Sequence, residues 1–379
     1  MLIENLIINN LRNHIHTEID FDGGLNVLHG LNGSGKTTVL EAISICSFTK
    51  SFLPILDSSL INKDNNFWQV SLSARNDMNV PYKIVIKYSG NSKKNISSTF
   101  GDNLLPKDII GELPVVVLSP DFKKITFGSP QDRREFLDKL LSQAGRLYVD
   151  EILKYKKALK QRNNLLLKAK LEKKVNYNLI EPWTEILIRS GAEIVLRRKK
   201  FIDEFLGVFQ AIYHSVSKGK EEVAIEYVPY GIRNSFENLD KKGLEEILRY
   251  LFEKGKHDEI KRGTTLFGPQ KDDIKILINN GVAKEYASQG QHKSLLVSIK
   301  FAEYDYLKTR KNETPLILLD DIFSELDKER AKKVIELVKS TSAQTLITVT
   351  DKSILKSIIS DHIKCKYYQV NNGDIKEKE

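Results

Sequence analysis

Gly30-Leu31-Asn32-Gly33-Ser34-Gly35-Lys36-Thr37 is the stretch that most constrains what this chain can fold into. It fits G-x-x-x-x-G-K-[ST], the phosphate-binding P-loop. The glycines permit a tight turn that aims several backbone N–H groups at one point. A helix after the loop adds the positive end of its dipole. Lys36 brings a compact cation to the outer phosphates, and the Thr37 hydroxyl is of the type that ligates Mg²⁺. The flanks supply the required setting. Leu25–His29 reads as a short apolar strand, and the segment from Thr38 to Ile45 is rich in helix formers.

A second half of the same site lies far downstream. Leu316-Ile317-Leu318-Leu319-Asp320-Asp321 is a Walker B pattern. Four apolar residues predict a fully buried strand, whose carboxyl end delivers carboxylates to the phosphate crevice. Asp320 is placed for the Mg²⁺ shell, and Asp321 for a general base that orients the attacking water. Before it, Ser288-Gln289-Gly290-Gln291 precedes a helix over Gln291–Leu307; a small hydroxyl residue and a glycine at a helix N-terminus make an anion site. After it comes Ser324-Glu325-Leu326-Asp327. A chance Gly-rich turn would explain the first motif and a solvated Asp pair the second, but neither explains both on one chain.

Bulk properties bound the class. A chain of 379 residues buries a substantial core and splits into lobes. Hydrophobic residues at 41% and charged residues at 29% describe a globular protein, with no apolar run of membrane-spanning length. Met1-Leu2-Ile3-Glu4-Asn5 does not read as a signal peptide. Cys46 and Cys365 are too few for a disulfide framework, so a cytoplasmic home is expected. The net charge of +9 favours a polyanionic partner, nucleic acid first. From Glu151 to Lys200 there are 14 Lys/Arg against 5 Asp/Glu, which equals the whole chain's excess. A charge run is most often a solvated helix face; its concentration in one segment raises the nucleic-acid reading beside it. The seven histidines, His14, His16, His29, His214, His257, His292 and His362, show no metal-ligand spacing with the cysteines, so no metal beyond Mg²⁺ is expected.

Three segments follow from the pattern: residues 1–131, 132–262 and 263–379. The first opens with a hairpin, carries the P-loop, and continues with period-2 strands at Phe67–Ala74 and Tyr82–Tyr88. Arg12, close to the nucleotide strand, is a candidate for stacking on a base or equally an exposed turn residue. The segment Asn91–Ser98 reads as loop, and Leu113–Leu118 as a buried strand. The middle segment reads as helical and charged. Two long helices, the second over about Trp183–Val216, are joined near Lys173–Glu181 as an antiparallel arm. In the last segment Ile274, Ile276 and Ile278 alternate before the hairpin turn Asn279-Asn280-Gly281. Helices and strands then alternate as a parallel sheet requires, and the charged tail from Gly373 to Glu379 reads as frayed.

In the order P-loop, Ser-Gln-Gly-Gln, Asp-Asp, Ser-Glu-Leu-Asp, the motifs resemble those of ABC-type ATPases. The wider chain is similar to the RecF family of bacterial recombination-repair ATPases. The resemblance takes in Asn10–Asn13, Gly30–Thr38, Ser119–Asp121, Gly128–Pro130, Arg133–Asp138, Ala158–Asn163, Gly268–Asp273, Ser288–Gln291 and Leu318–Asp327. It implies an α/β ATPase head, a mixed sheet carrying the P-loop, with an inserted helical, short coiled-coil-like arm. By the same resemblance Gly30, Leu31, Asn32, Gly33, Ser34, Gly35, Lys36, Thr37 and Thr38 hold ATP. Ser288, Gly290 and Gln291 cap the nucleotide of a second subunit. Lys36, Asp320 and Asp321 serve catalysis, with Thr37 and Asp320 on Mg²⁺. The family implies a slow, DNA-stimulated ATPase that forms a homodimer on ATP, acts on double-stranded and gapped or junction DNA, and works with RecR and RecO to load RecA. On the basic arm Lys154, Lys156, Lys157, Lys160 and Arg162 are the candidate phosphate contacts.

The chain departs from the family pattern in places. Thr38 stands where Asn is usual, and Gln270-Lys271 replaces a His-Arg pair. Asp321 and Thr350 stand where transporter ATPases have a catalytic Glu and a switch histidine. A shorter carboxylate and no histidine point to a timed switch rather than a motor. Other classes fit less well. An SMC protein needs an arm of hundreds of residues, a nuclease-coupled ATPase an extra acidic domain, and a transporter subunit a much shorter helical region. A scaffold that binds nucleotide without hydrolysis shares every motif.

Overall fold

The computed structural model describes residues 1–90, 93–232, 239–356, 358 and 365–378. The chain divides into two compact units. One comprises Met1–Lys123, Ser215–Lys218 and Gln289–Glu379, the other Lys124–His214 and Gly219–Ser288. First in the chain come β1 (Leu2–Leu11), β2 (His14–Asp20), β3 (Leu25–His29), α1 (Lys36–Phe48), β4 (Phe67–Arg75), β5 (Pro81–Ser89), β6 (Asn95–Ser98), α2 (Pro106–Ile109) and β7 (Val115–Leu118). Then follow α3 (Lys124–Phe127), α4 (Pro130–Ala144), α5 (Arg146–Glu172), α6 (Tyr177–Ser217), β8 (Val223–Val228), α7 (Lys241–Arg262), β9 (Asp273–Ile278), β10 (Gly281–Val282) and α8 (Ala283–Tyr286). Last are α9 (Gln289–Lys311), β11 (Leu316–Asp320), α10 (Lys328–Thr341), β12 (Thr345–Val349), α11 (Lys352–Lys356), β13 (Cys365–Asn371) and β14 (Asp374–Lys378).

In the first unit two sheets enclose α1. One is antiparallel, in the order β2-β1-β4-β5-β6; the other runs β14-β13-β3-β12-β11-β7. In the second sheet every neighbouring pair is parallel except β13 with β14. Strands buried on both faces need continuous apolar runs, and β7, β11 and β12 are buried at every residue. α1 is buried along its length apart from Thr37. A helix without a polar face belongs inside a core, and α1 packs against β1, β4 and β5 on one side and β11 and β12 on the other. Its two serines that face the core bond to backbone: Ser47 donates to the Leu113 carbonyl at 2.7 Å and Ser44 to that of Lys50 at 3.1 Å.

Two readings of this unit are corrected. Residues 95–98 form β6 rather than loop, because Ile96 supplies one buried apolar residue opposite Ile86; Asn91 and Ser92 lie outside the described residues. The tail from Gly373 to Lys378 is no frayed end, and Glu379 lies outside the described residues. β13 and β14 form a hairpin whose two-residue turn, Asn372-Gly373, has φ 47° and 89°. Positive φ at both turn positions is what a type I′ turn requires, and Asn-Gly is its preferred pair.

The second unit is broader than residues 132–262, since it takes in α3 and runs on to Ser288. Nor is it all helix: β8 lies inside that span and pairs with β9, in the sheet β10-β9-β8. The β9–β10 hairpin turns at Asn279 and Asn280, with φ 47° and 66°, where the sequence predicts it. α6 starts at Tyr177, ahead of the expected Trp183, and carries Pro182 inside its length. One missing backbone hydrogen bond near a helix start is offset by the buried run Ile180, Thr184, Leu187 and Ile188. Further along, Phe201, Phe205, Phe209 and Tyr213 form a row of ring contacts at four-residue spacing, with centroids 4.8, 6.1 and 6.2 Å apart.

The charged motifs at Arg133–Asp138 and Gly268–Asp273 meet inside this unit. Arg133 donates twice to Asp273, at 2.8 and 2.9 Å. Arg198, 2% exposed, bridges Asp138 at 2.8 Å, the Pro269 carbonyl at 2.8 Å and Asp272 at 3.2 Å. Tyr155 donates to Gln270. Buried charges persist only when paired and hydrogen-bonded, so these motifs serve architecture. Among the described residues no helix is long and apolar enough to cross a membrane.

Candidate functional site

β3 delivers the P-loop and α1 leaves it, with β12 and then β11 beside β3 in the sheet. The carboxyl ends of parallel strands therefore converge on the loop, as in open α/β sheets generally. The loop conformation is glycine-specific at Gly30, where φ is 156° and a Cβ would lie 2.2 Å from the Val370 carbonyl oxygen. Lys36 is 7% exposed and donates to the carbonyls of Gly30 at 2.7 Å and Leu31 at 2.9 Å. Burial pushes its pKa down, against Asp321 and Asp320, which hold it up. The Ser34 hydroxyl is buried and has no hydrogen-bond partner. An orphan hydroxyl, a lysine held on replaceable carbonyls and a glycine cradle fit a polyphosphate.

Thr37 donates to Asp320 Oδ1 at 2.9 Å across 283 residues of sequence. Thr348 donates to the same oxygen at 2.8 Å, and its own hydroxyl accepts from the Asp321 N–H at 2.9 Å. Asp320 is 6% exposed. Burial raises its pKa, while the hydrogen bonds from Thr348 and Thr37 lower it. Mg²⁺ is held through one or two carboxylates with substrate phosphates rather than by an all-protein cage, and Thr37 with Asp320 is a donor pair of that kind. Asp321 follows with φ 48° and caps a short turn, Ile322–Ser324. Thr348 is a site residue that the motifs do not reveal. Its one signal is a hydroxyl residue in a second parallel strand, β12, in register with Asp320.

Arg12 is not a free turn residue, though its side chain stays one-third exposed. It donates to Glu41 at 2.8 Å, and Ser51 donates to the same carboxylate oxygen at 2.7 Å. Glu41 is fully buried on α1, which pushes its pKa up; Ser51 and Arg12 oppose that.

Ser288 is exposed, and α9 begins at the next residue, with Gly290 and Gln291 half-buried in its first turn. Asp327 caps α10 by accepting from the Arg330 N–H at 2.9 Å, and the Arg330 guanidinium returns to Asp327. The same guanidinium donates to Ser294 at 3.0 Å, and Ser294 donates to the Gly290 carbonyl at 3.2 Å. The structure thus ties the Asp327 loop to the start of the α9 helix through one arginine.

On α5, Tyr148, Ile152, Tyr155, Ala158, Arg162, Leu166 and Ala169 form the buried face. Lys154, Lys156, Lys157 and Lys160 are exposed; Lys156 lies 3.6 Å from Asp138 and Lys154 4.0 Å from Glu151. Arg162 is the exception among the five candidates and is corrected. It is 3% exposed and donates to Glu259 at 2.6 Å, Thr184 at 2.8 Å and Thr265 at 2.9 Å. It falls four residues after Ala158 and four before Leu166, on the apolar stripe, so helical spacing alone could have placed it inside. Arg162→Ala is expected to cost about 3–5 kcal/mol of unfolding free energy, because Glu259 stays buried without its counter-charge. Denaturant titration checks this; a loss below about 1 kcal/mol would remove the pair from the stability account.

Known proteins are similar to this chain in sequence and fold. The family described as RecF/RecN/SMC N terminal domain matches residues 2–374. A Chlorobium limicola protein called DNA replication and repair protein RecF is 37% identical over 352 residues, 93% of this chain and 96% of that one. A Bacteroides fragilis protein of the same name is 33% identical over 384 residues, 100% of this chain and 99% of its own. The solved structure of the recombination mediator protein RecF with ATP, of the RecFOR pathway, superposes with a TM-score of 0.90 at 29% identity, covering 100% of this chain and 98% of that one. An Smc head bound to the C-winged helix domain of ScpA shares the fold, with a TM-score of 0.57 at 16% identity. An ABC-type ATPase head carries an inserted, largely helical unit, and the chain belongs to the RecF family.

Proposed function

We propose that this protein is an ATP-dependent DNA-binding protein of recombinational repair and replication-fork maintenance, in which ATP joins two heads on DNA. One observation carries the reading: Thr37 and Asp320 share a hydrogen bond of 2.9 Å at the mouth of the P-loop, while Ser288 stands exposed before α9. One head therefore offers a phosphate cradle and, separately, an open helix N-terminus suited to an anion. On binding, Lys36 exchanges the carbonyls of Gly30 and Leu31 for phosphate oxygens. Mg²⁺, when bound, neutralises charge between the phosphates, and Thr37 and Asp320 would hold it. Asp321 orients the attacking water. Ser288, Gly290 and Gln291 close over the nucleotide of a second copy.

Turnover is slow in this reading, because the carboxylate is short and Thr350 follows β12 where a histidine would hold the γ-phosphate. Phosphate release with Mg²⁺–ATP, with and without a gapped duplex, tests it. Slow release that DNA stimulates is expected; many turnovers per second would count against a switch. Family membership supports RecR and RecO as partners and RecA loading at single-strand gaps as the outcome, in the cytoplasm.

The exposed lysines Lys154, Lys156, Lys157 and Lys160 are assigned to DNA phosphates. Changing all four to Gln is expected to weaken binding to every sequence alike. It should also flatten the slope of log K against log salt by about 0.9 for each phosphate no longer neutralised. An unchanged slope would remove α5 from the DNA-binding surface.

A further inference from the structure

The P-loop is gripped from outside by residues at both ends of the sequence. Its three consecutive carbonyls of Gly33, Ser34 and Gly35 each take a donor from outside the loop, that of Gly35 in addition to the Val39 N–H at 3.4 Å. Asn13 Nδ2 donates to Gly33 at 3.3 Å, the Gly373 N–H to Ser34 at 2.9 Å, and His14 Nε2 to Gly35 at 3.0 Å. A carbonyl only accepts, so His14 carries its proton on Nε2 here. His14 is 0% exposed. Its Nδ1 lies 2.9 Å from the Thr17 hydroxyl, which is also 2.9 Å from the Gly373 carbonyl. Thr17 has one proton to give, so it serves either His14 Nδ1 or the Gly373 carbonyl and fills the space between them.

The packing leaves no slack. A Cβ at Gly373 would lie 2.2 Å from the Asn13 carbonyl oxygen, and one at Gly35 would lie 2.5 Å from His14 Nε2. Peptide planes are rigid and trans, so a carbonyl turned outward turns the next residue's N–H the other way. The Ser34 N–H closes the turn on Leu31 at 3.2 Å. Outward carbonyls at Ser34 and Gly35 leave the N–H groups of Gly35 and Lys36 directed into the phosphate nest.

We propose that Asn13, His14 and the β13–β14 turn at Gly373 form an outer clamp that sets the P-loop in its phosphate-binding shape. They are positioning residues: none has to touch the nucleotide. The clamp rests on the phosphate-binding reading of the loop. It gives a task to the Asn10–Asn13 motif and to a C-terminal hairpin more than 300 residues away in sequence, as the 356-residue span from Thr17 to Gly373 shows.

The test is titration of ADP and of ATP into wild type, His14→Ala, His14→Gln, Asn13→Ala and Gly373→Ala, each at a temperature where circular dichroism shows it folded. Both affinities are expected to fall together in His14→Ala and Gly373→Ala, by about tenfold or more: the first removes a donor from the Gly35 carbonyl, and in the second a Cβ 2.2 Å from the Asn13 carbonyl oxygen pushes the turn and its N–H away from Ser34. His14→Gln, which keeps a side-chain N–H, should recover part of the loss; a merely structural role predicts no such rescue. Asn13→Ala, at a half-buried position, carries the test should His14→Ala fail to fold. Folded variants that bind ADP as wild type does would overturn the clamp alone. Wild-type protein that binds neither nucleotide would overturn the phosphate site and the clamp with it.

Discussion

Asp320→Asn is expected to leave the protein folded and to lower ATP turnover by about a hundredfold or more, in the range seen when one charged or donor group at a developing transition-state charge is lost. The amide oxygen keeps the bonds from Thr37 and Thr348, so the strand ends stay in place. What disappears is the negative charge at the proposed Mg²⁺ position. Asp320→Ala is a harsher test. It strands the hydroxyls of Thr37 and Thr348, at roughly 1–3 kcal/mol for each left unsatisfied. Lys36→Ala should match Asp320→Asn in turnover but also lose nucleotide affinity, because in the proposed function Lys36 meets phosphate in the ground state as well. Phosphate release beside an ATP binding curve separates the two. Turnover in Asp320→Asn within about threefold of wild type would mean that the Thr37–Asp320 pair is not the metal site.

Ser288→Arg is expected to abolish dimerisation on Mg²⁺–ATP while leaving ATP affinity intact. Ser288 is exposed and has α9 starting behind it. An arginine there would occupy the place where the proposed dimer brings a second head's phosphates, and its bulk would prevent close approach. Sedimentation velocity without nucleotide, with Mg²⁺–ATP, and with Mg²⁺–ATP on a gapped duplex reads the mass directly. Wild type should double in mass and the variant should stay monomeric. A variant that dimerises like wild type would sink the shared-site mechanism. Arg330, which ties Asp327 to Ser294 on α9, gives a second way into the same question, since Arg330→Ala loosens both loops without adding bulk.

Much of the head was legible because its motifs carry their chemistry in local order. A P-loop demands strand, loop and helix, and β3, Gly30–Thr37 and α1 provide them. Leu316–Leu319 is apolar throughout because β11 is buried on both faces. What escaped the sequence depends on distant pairing. Ile96 in a polar stretch gives almost no local period, yet one buried residue against β5 suffices for a short edge strand. Asn372-Gly373 is a strong hairpin signal, but the charged run after it hid the strand, whose exposed residues follow no apolar alternation. β8 was lost in a segment dominated by helices. Arg162 misled for a different reason: residue type was weighed above its place in the helical period. Thr348 and His14 act through neighbours contributed by other strands, which no spacing within one segment reveals.

The sheet order carries a consequence for the making of the protein. β3 lies between β12 and β13, so the strand that bears the nucleotide loop is synthesised long before either neighbour exists. At ribosomal rates of about 5–20 residues per second, the interval from Leu25 to its partner Thr345 lasts roughly 15–65 s. During it an apolar strand waits with both edges bare, which is the condition that favours misassociation. The second unit is translated within that interval and can fold while the head waits. On the proposed site, no nascent fragment that stops before β12 can assemble the nucleotide pocket, and on the proposed clamp none that stops before Gly373 can set its loop.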